Sequence, residues 1–180
     1  MKNFYFFIRY FFLKSIVFLY KRRRAGFQGN KRIFVVKPDL IGDLILYSSF
    51  IKQIKLTYPH HQLVFVGNSV VEDLVPFIEG IDESFLINIK SFQRNPFYFI
   101  KIVNTLIKMN GDILLCPVFS RSFTFDEISS LIASPHKISF IGECSRMSLF
   151  WKKKGGWFVL FFKISIYMGV GDMEEGLEFI

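Results

Sequence analysis

Along most of this chain the hydrophobic pattern switches between a continuous run and a helical period. Ile33-Phe34-Val35-Val36 is an unbroken apolar run between Arg32 and Lys37, the pattern of a strand covered on both faces. After the Pro38–Gly42 bend, Leu44, Leu46, Tyr47, Phe50, Ile51 and Ile54 recur at helical spacing. They predict a helix over 43–57, ended by Tyr58-Pro59. Leu63-Val64-Phe65-Val66 is a second buried strand, after which Asn68 or Ser69 can cap a helix to Ile78 that Gly80 closes. Ser84 to Ile89 predicts a third strand, and Pro96 suits the first turn of a helix reaching Met109. Asn110-Gly111 is a turn, Asp112 to Cys116 a fourth strand, Asp126 to Ala133 a helix, and Lys137 to Ile141 a fifth strand. Strands and helices alternating at this spacing predict an α/β fold, a Rossmann-like parallel sheet wound by helices.

Both ends depart from this alternation. Phe4 to Tyr20 is almost wholly apolar or aromatic, broken by Arg9 and Lys14 and followed by Lys21-Arg22-Arg23-Arg24. A secretory signal places its charges before the apolar run and a small-residue cleavage site after it, and neither is present. A spanning helix needs about 20 apolar residues, and a central Arg and Lys cost several kcal/mol. Residues 1–24 are therefore expected to form an amphipathic, aromatic helix in the interface of an anionic membrane. Packing on the domain and a true span are the alternatives. Gly26, Gly29 and Asn30 mark a linker over 25–30, and the domain proper is expected over 31–180. Trp157 to Tyr167 reads equally as a strand, a buried helix or a second membrane-facing patch. Met173 to Ile180 reads as the start of a helix.

Charge sharpens this division. The net charge is +8, yet residues 1–24 hold seven cations and no acid, while the rest of the chain is nearly balanced. A nucleic-acid-binding domain spreads cations along a face or recognition helix, so nucleic acid is not expected as a partner. The 24 phenylalanines cluster toward both ends, giving more apolar surface than a soluble domain needs. With 51% hydrophobic residues, disorder is excluded. Cys116 lies in the apolar run Ile113-Leu114-Leu115-Cys116 and reads as a small buried hydrophobe. Neither it nor Cys144 belongs to a CxxC or Cys/His cluster, so no metal site is expected, and a reducing cytoplasm fits.

The candidate chemistry gathers where strands end, because ligands of open α/β sheets bind beyond the carboxyl ends of the strands. Asp43 follows the first strand and is either a general base or a helix-terminus carboxylate. Asp39 is a second carboxylate in the same loop or a turn residue after Pro38, and Gly42 allows close backbone approach or simply the bend. Lys90 and Arg94 after the third strand, with Arg121 after the fourth, could form a cationic rim for an anionic acceptor, or be exposed loop cations. His60, His61 and His136 fall at the opposite edge and read as solvated or structural residues. No GxGxxG or GxxxxGK[ST] loop is present, which disfavours a nucleotide-binding Rossmann protein.

The segment Arg32-Ile33-Phe34-Val35-Val36-Lys37-Pro38-Asp39-Leu40-Ile41-Gly42-Asp43-Leu44-Ile45-Leu46 resembles the opening of the family 9, heptosyltransferase-like glycosyltransferases. A hydrophobic strand, a Lys or Arg, and a loop ending in Gly-Asp begin that family. Lys55-Leu56-Thr57-Tyr58-Pro59, the strand Gln62 to Gly67, and Asn110-Gly111-Asp112-Ile113-Leu114-Leu115 continue the similarity, and Tyr167 and Met173 to Phe179 extend it more loosely.

The resemblance implies the N-terminal, acceptor-side half of a GT-B enzyme, with Asp43 as the base of a metal-independent inverting transfer. It implies no bound cofactor, a nucleotide-sugar co-substrate such as ADP-heptose, and a lipid-linked lipopolysaccharide-core or related acceptor. Asp39, Gly42, Lys90, Arg94 and Arg121 would then line the acceptor side. The donor-binding domain of such an enzyme is expected outside these 180 residues, supplied by another chain or gene segment. The expected place of work is the inner face of the cytoplasmic membrane, as a peripheral protein. A membrane-associated scaffold that keeps the fold without the reaction is the competing reading.

Overall fold

The computed structural model describes Ser15 and residues 30–118, 123–139 and 164–165. The basic aromatic segment, Arg121, Cys144 and most of 157–180 lie outside the described residues. Within them the element order is β1 (Arg32–Lys37), α1 (Ile41–Thr57), β2 (Gln62–Asn68), β3 (Glu83–Ile87), α2 (Ile89–Arg94) and α3 (Pro96–Leu106), followed by β4 (Ile113–Cys116), α4 (Phe123–Leu131), β5 (His136–Ser139) and the two-residue β6 (Ile164–Ser165).

The strands form one sheet in the order β3-β2-β1-β4-β5-β6, and every neighbouring pair is parallel. Val35 stands opposite Phe65 on one side and Leu115 on the other, so the pleat sorts each strand's side chains between two layers. One layer holds Val35, Leu63 and Phe65 against Leu44 and Ile51 of α1, with Val71, Val75 and Ile78 beside them. The other holds Phe34, Val36, Val64, Val66 and Leu114 against Phe92 of α2, Phe99, Ile102, Val103 and Leu106 of α3, and Ile128 and Leu131 of α4. The chain steps from β1 to β3 under one cover and returns through β4 and β5 under the other, as right-handed crossovers require. This is the α/β, Rossmann-like architecture expected from the alternation.

Several elements differ from their sequence reading. The helix expected from Asn68 or Ser69 to Ile78 is instead two 3-10 turns, Ser69–Val71 and Val75–Phe77. Pro76 lies inside this stretch, and a proline there has no amide to donate and would clash with the carbonyl four residues earlier. Asn68 still caps the first turn, accepting from the Val70 amide, and Gly80 still closes the segment at φ +98°. Ile89, expected to end the third strand, instead opens α2: Asn88 accepts the Ser91 amide and caps this short helix, which was absent from the sequence reading. Asn95 caps α3 with Pro96 at its first position, as expected. Gly111 is required by close packing: a Cβ there would lie 2.7 Å from the Phe34 ring and 2.8 Å from the Arg32 carbonyl. Ile164–Ser165 resolves part of the ambiguous 157–167 stretch as strand.

Candidate functional site at the carboxyl end of β1

The sheet order reverses direction at β1, whose chain leads to β2 on one side while β4 returns on the other. The crevice beyond the carboxyl ends of β1 and β4 is therefore the topological switch point, where open α/β sheets bind ligands. The side chains of Ile33, Val35 and Lys37 alternate onto the α1 face of β1, so the last position of a buried row is a lysine. Lys37 is only 8% exposed, and a buried ammonium needs a partner. Its Nζ lies 2.8 Å from Asp39 Oδ2 and 5.1 Å from the centroid of the Tyr47 ring. The Asp39 side chain is 17% exposed, so this ion pair is largely removed from water. Tyr47 stacks on Phe50 at 5.4 Å. Burial, with the nearby Cys116 thiol adding to it, pushes the Tyr47 hydroxyl up to about 12, leaving it protonated at neutral pH.

Asp43 has a different setting. α1 begins at Ile41, two residues earlier than the hydrophobic period suggests, and its N-cap Leu40 offers no side-chain acceptor to the first-turn amides. Asp43 is the acid of that turn and is exposed, with no hydrogen bond or ion pair to other side chains. Gly42 beside it lies within the helix rather than at the bend, and a Cβ there would meet nothing within 4 Å. The passage from β1 into α1 thus carries one carboxylate bound internally and one free carboxylate with open space next to it. An exposed carboxylate of this kind can accept a proton from a hydroxyl brought into the crevice.

Asp39, Gly42 and Asp43 are brought together at one strand end. Lys90 and Arg94 are not part of that group. They sit on α2, beyond β3 and two strands from β1, about 10 Å away across the sheet, and α2 covers the opposite layer from α1. Both are exposed, and neither forms an ion pair among the described residues. Lys37 and Tyr47 were absent from the sequence-derived set, although the pleat supplied a signal for the first: a lysine two residues beyond Val35 must end on the buried row. His61 is more than a solvated loop residue, because its Nε2 lies 3.4 Å from Asp112 Oδ2 and its ring meets Tyr58 edge-on. Cys116 is buried, as its apolar run implies. Among the described residues no three His, Cys, Asp or Glu side chains converge as metal ligands do.

No family model matches the sequence, and no curated protein matches it. Among solved structures, the chain is similar to a family 9 glycosyl transferase from Veillonella parvula DSM 2008, with 16% identity and a TM-score of 0.58. That match covers 82% of this chain and 38% of the other. A second match is E. coli ADP-heptose LPS heptosyltransferase II, with 15% identity and a TM-score of 0.46 over 62% of this chain and 31% of that one. The chain thus spans well under half the length of either structure. At such identity the first likeness establishes a shared fold.

Proposed function

We propose that this chain is the acceptor-side half of a glycosyltransferase that moves a sugar from a nucleotide sugar to a hydroxyl of a lipopolysaccharide-core or related surface glycan. Asp43 acts as the general base. It takes the proton of the acceptor hydroxyl as that oxygen bonds the anomeric carbon, and the nucleoside diphosphate departs with the electrons of the broken bond between the anomeric carbon and the phosphate oxygen. The fold shared with a family 9 glycosyl transferase supports this reading. The single observation that carries it is the free, exposed carboxylate of Asp43 at the switch-point crevice, next to a helix turn left open by Gly42. Asp39 and Gly42 shape the acceptor side. The nucleotide sugar binds outside the part that matches, and the 180 residues alone do not turn over. The protein works on a lipid-linked acceptor at the inner face of the cytoplasmic membrane, to which residues 1–24 hold it.

The test is transfer of radiolabelled heptose from ADP-heptose into the inner-core acceptor by host membranes carrying either the wild-type protein or Asp43→Asn. Loss of a general base lowers the rate on the order of 10²- to 10⁴-fold. Wild-type rates from Asp43→Asn would remove Asp43 from the chemistry. Transfer by the purified 180-residue chain alone would overturn the assignment to an incomplete half.

A further inference from the structure

The α2–α3 corner carries a pattern that sugar transfer does not use. From Ser84 to Gly111 the chain has four cations, Lys90, Arg94, Lys101 and Lys108, and no acid. The flanking acids sit at the amino edge of the sheet: Asp82 accepts the amide of Leu63 near the start of β2, Glu83 opens β3, and Asp112 immediately precedes β4. In α2, Phe92 faces the core while Lys90 and Arg94 lie on the outer side. In α3, Phe99, Ile102, Val103 and Leu106 are buried, which leaves Phe97, Ile100, Lys101 and Asn104 as the outer stripe. The helices are held together: the Asn88 amide donates to Tyr98 Oη at 3.0 Å, and the Phe92 and Phe99 rings lie 5.1 Å apart. Phe97 is 84% exposed and Ile100 43%. Among the described residues Lys90, Arg94 and Lys101 form no ion pair.

We infer that this corner docks on an anionic lipid bilayer, with Phe97 and Ile100 dipping into the acyl boundary and Lys90, Arg94 and Lys101 meeting the headgroups. A large aromatic held in water beside an aliphatic neighbour, with exposed cations on its own helix and on the helix packed against it, has the chemistry of an interfacial anchor. It is a contact made by the folded domain, separate from the aromatic segment 1–24. The outer face of α1 exposes more apolar surface, through Ile45, Leu46 and Phe50, but has no ring of cations to choose a lipid surface.

The test uses the full chain with Cys144→Ser, Cys116 being buried, and a single solvent-sensitive fluorophore on Phe97→Cys. Parallel samples carry it on Leu46→Cys of α1 or His60→Cys at the amino edge. With vesicles of phosphatidylglycerol and phosphatidylcholine, the label at 97 shifts to the blue and is quenched by brominated acyl chains, while labels at 46 and 60 stay aqueous. Lys90→Glu, Arg94→Glu and Lys101→Glu together, or raised salt, diminish the shift at 97. The inference is overturned if the protein does not bind these vesicles, or binds while the label at 97 remains in water. Insertion at 46 in place of 97 overturns it as well. So does shielding of 97 without vesicles, which would indicate contact between copies of the chain. None of these readouts depends on sugar transfer, so the inference and the proposed reaction stand or fall separately.

Discussion

Asp39 and Asp43 are four residues apart, one in the loop after β1 and the other in the first turn of α1, and play opposite parts. Asp39 neutralises the buried Lys37 ammonium, so removing it strands a charge among apolar neighbours. Asp39→Asn is expected to cost about 3 kcal/mol, the lower end for breaking a buried pair, because the pair retains some solvent access. Lys37→Met removes the ammonium and lets the partly exposed carboxylate hydrate, so its cost in chemical denaturation is smaller. Equal costs would contradict this division. Asp43→Asn forfeits only a helix-terminus interaction of about 0.3–1 kcal/mol and leaves the melting temperature nearly unchanged. The residue types were legible in sequence, but their roles depended on which of two nearby carboxylates the lysine would claim. That choice comes from strand pleat and loop path, which spacing alone does not contain.

At the scale of elements, glycines separate packing from openness. Gly111→Ala forces a methyl against the Phe34 ring and the Arg32 carbonyl and is expected to destabilise by about 1–3 kcal/mol. Gly42→Ala meets empty space within a helix and is expected to stabilise by about 0.5 kcal/mol. If that space admits the acceptor, transfer falls in Gly42→Ala while the melting temperature rises; unchanged transfer would assign the opening no role. Strands β1, β2 and β4 were readable because their central residues are continuously apolar, as doubly covered strands are. The 69–78 stretch misled because Pro76 breaks a helix that its apolar spacing supports. The six-residue α2 is too short to show a period, although Asn88 and Asn95 carry the caps that bound it.

At the scale of the molecule, the two edges of the sheet divide stability from chemistry. At the amino edge Asp82 receives the Lys55 ammonium at 2.6 Å and the Leu63 amide at 2.7 Å. Burial raises its pKa, but these bonds outweigh that effect and hold the carboxyl below its ordinary value. Its stabilisation is therefore complete above the unfolded value of about 3.9 and is lost as pH falls through the lower folded value. Asp82→Asn should flatten the acid limb of a stability–pH curve in that window; an unchanged limb would dissociate Asp82 from it. The carboxyl edge carries the free carboxylate, and the order β3-β2-β1-β4-β5-β6 places it where the sheet reverses. The alternating pattern revealed the layered fold, whereas the distance of Lys90 and Arg94 from Asp43 emerged only from strand order. The most direct measurement of the central claim is the transfer rate per folded molecule for Asp39→Asn and Asp43→Asn, assayed side by side at a temperature where both are folded. The account predicts that Asp39→Asn retains measurable transfer despite its lower stability, while Asp43→Asn falls on the order of 10²-fold or more at an unchanged melting temperature. Full transfer from Asp43→Asn would contradict it.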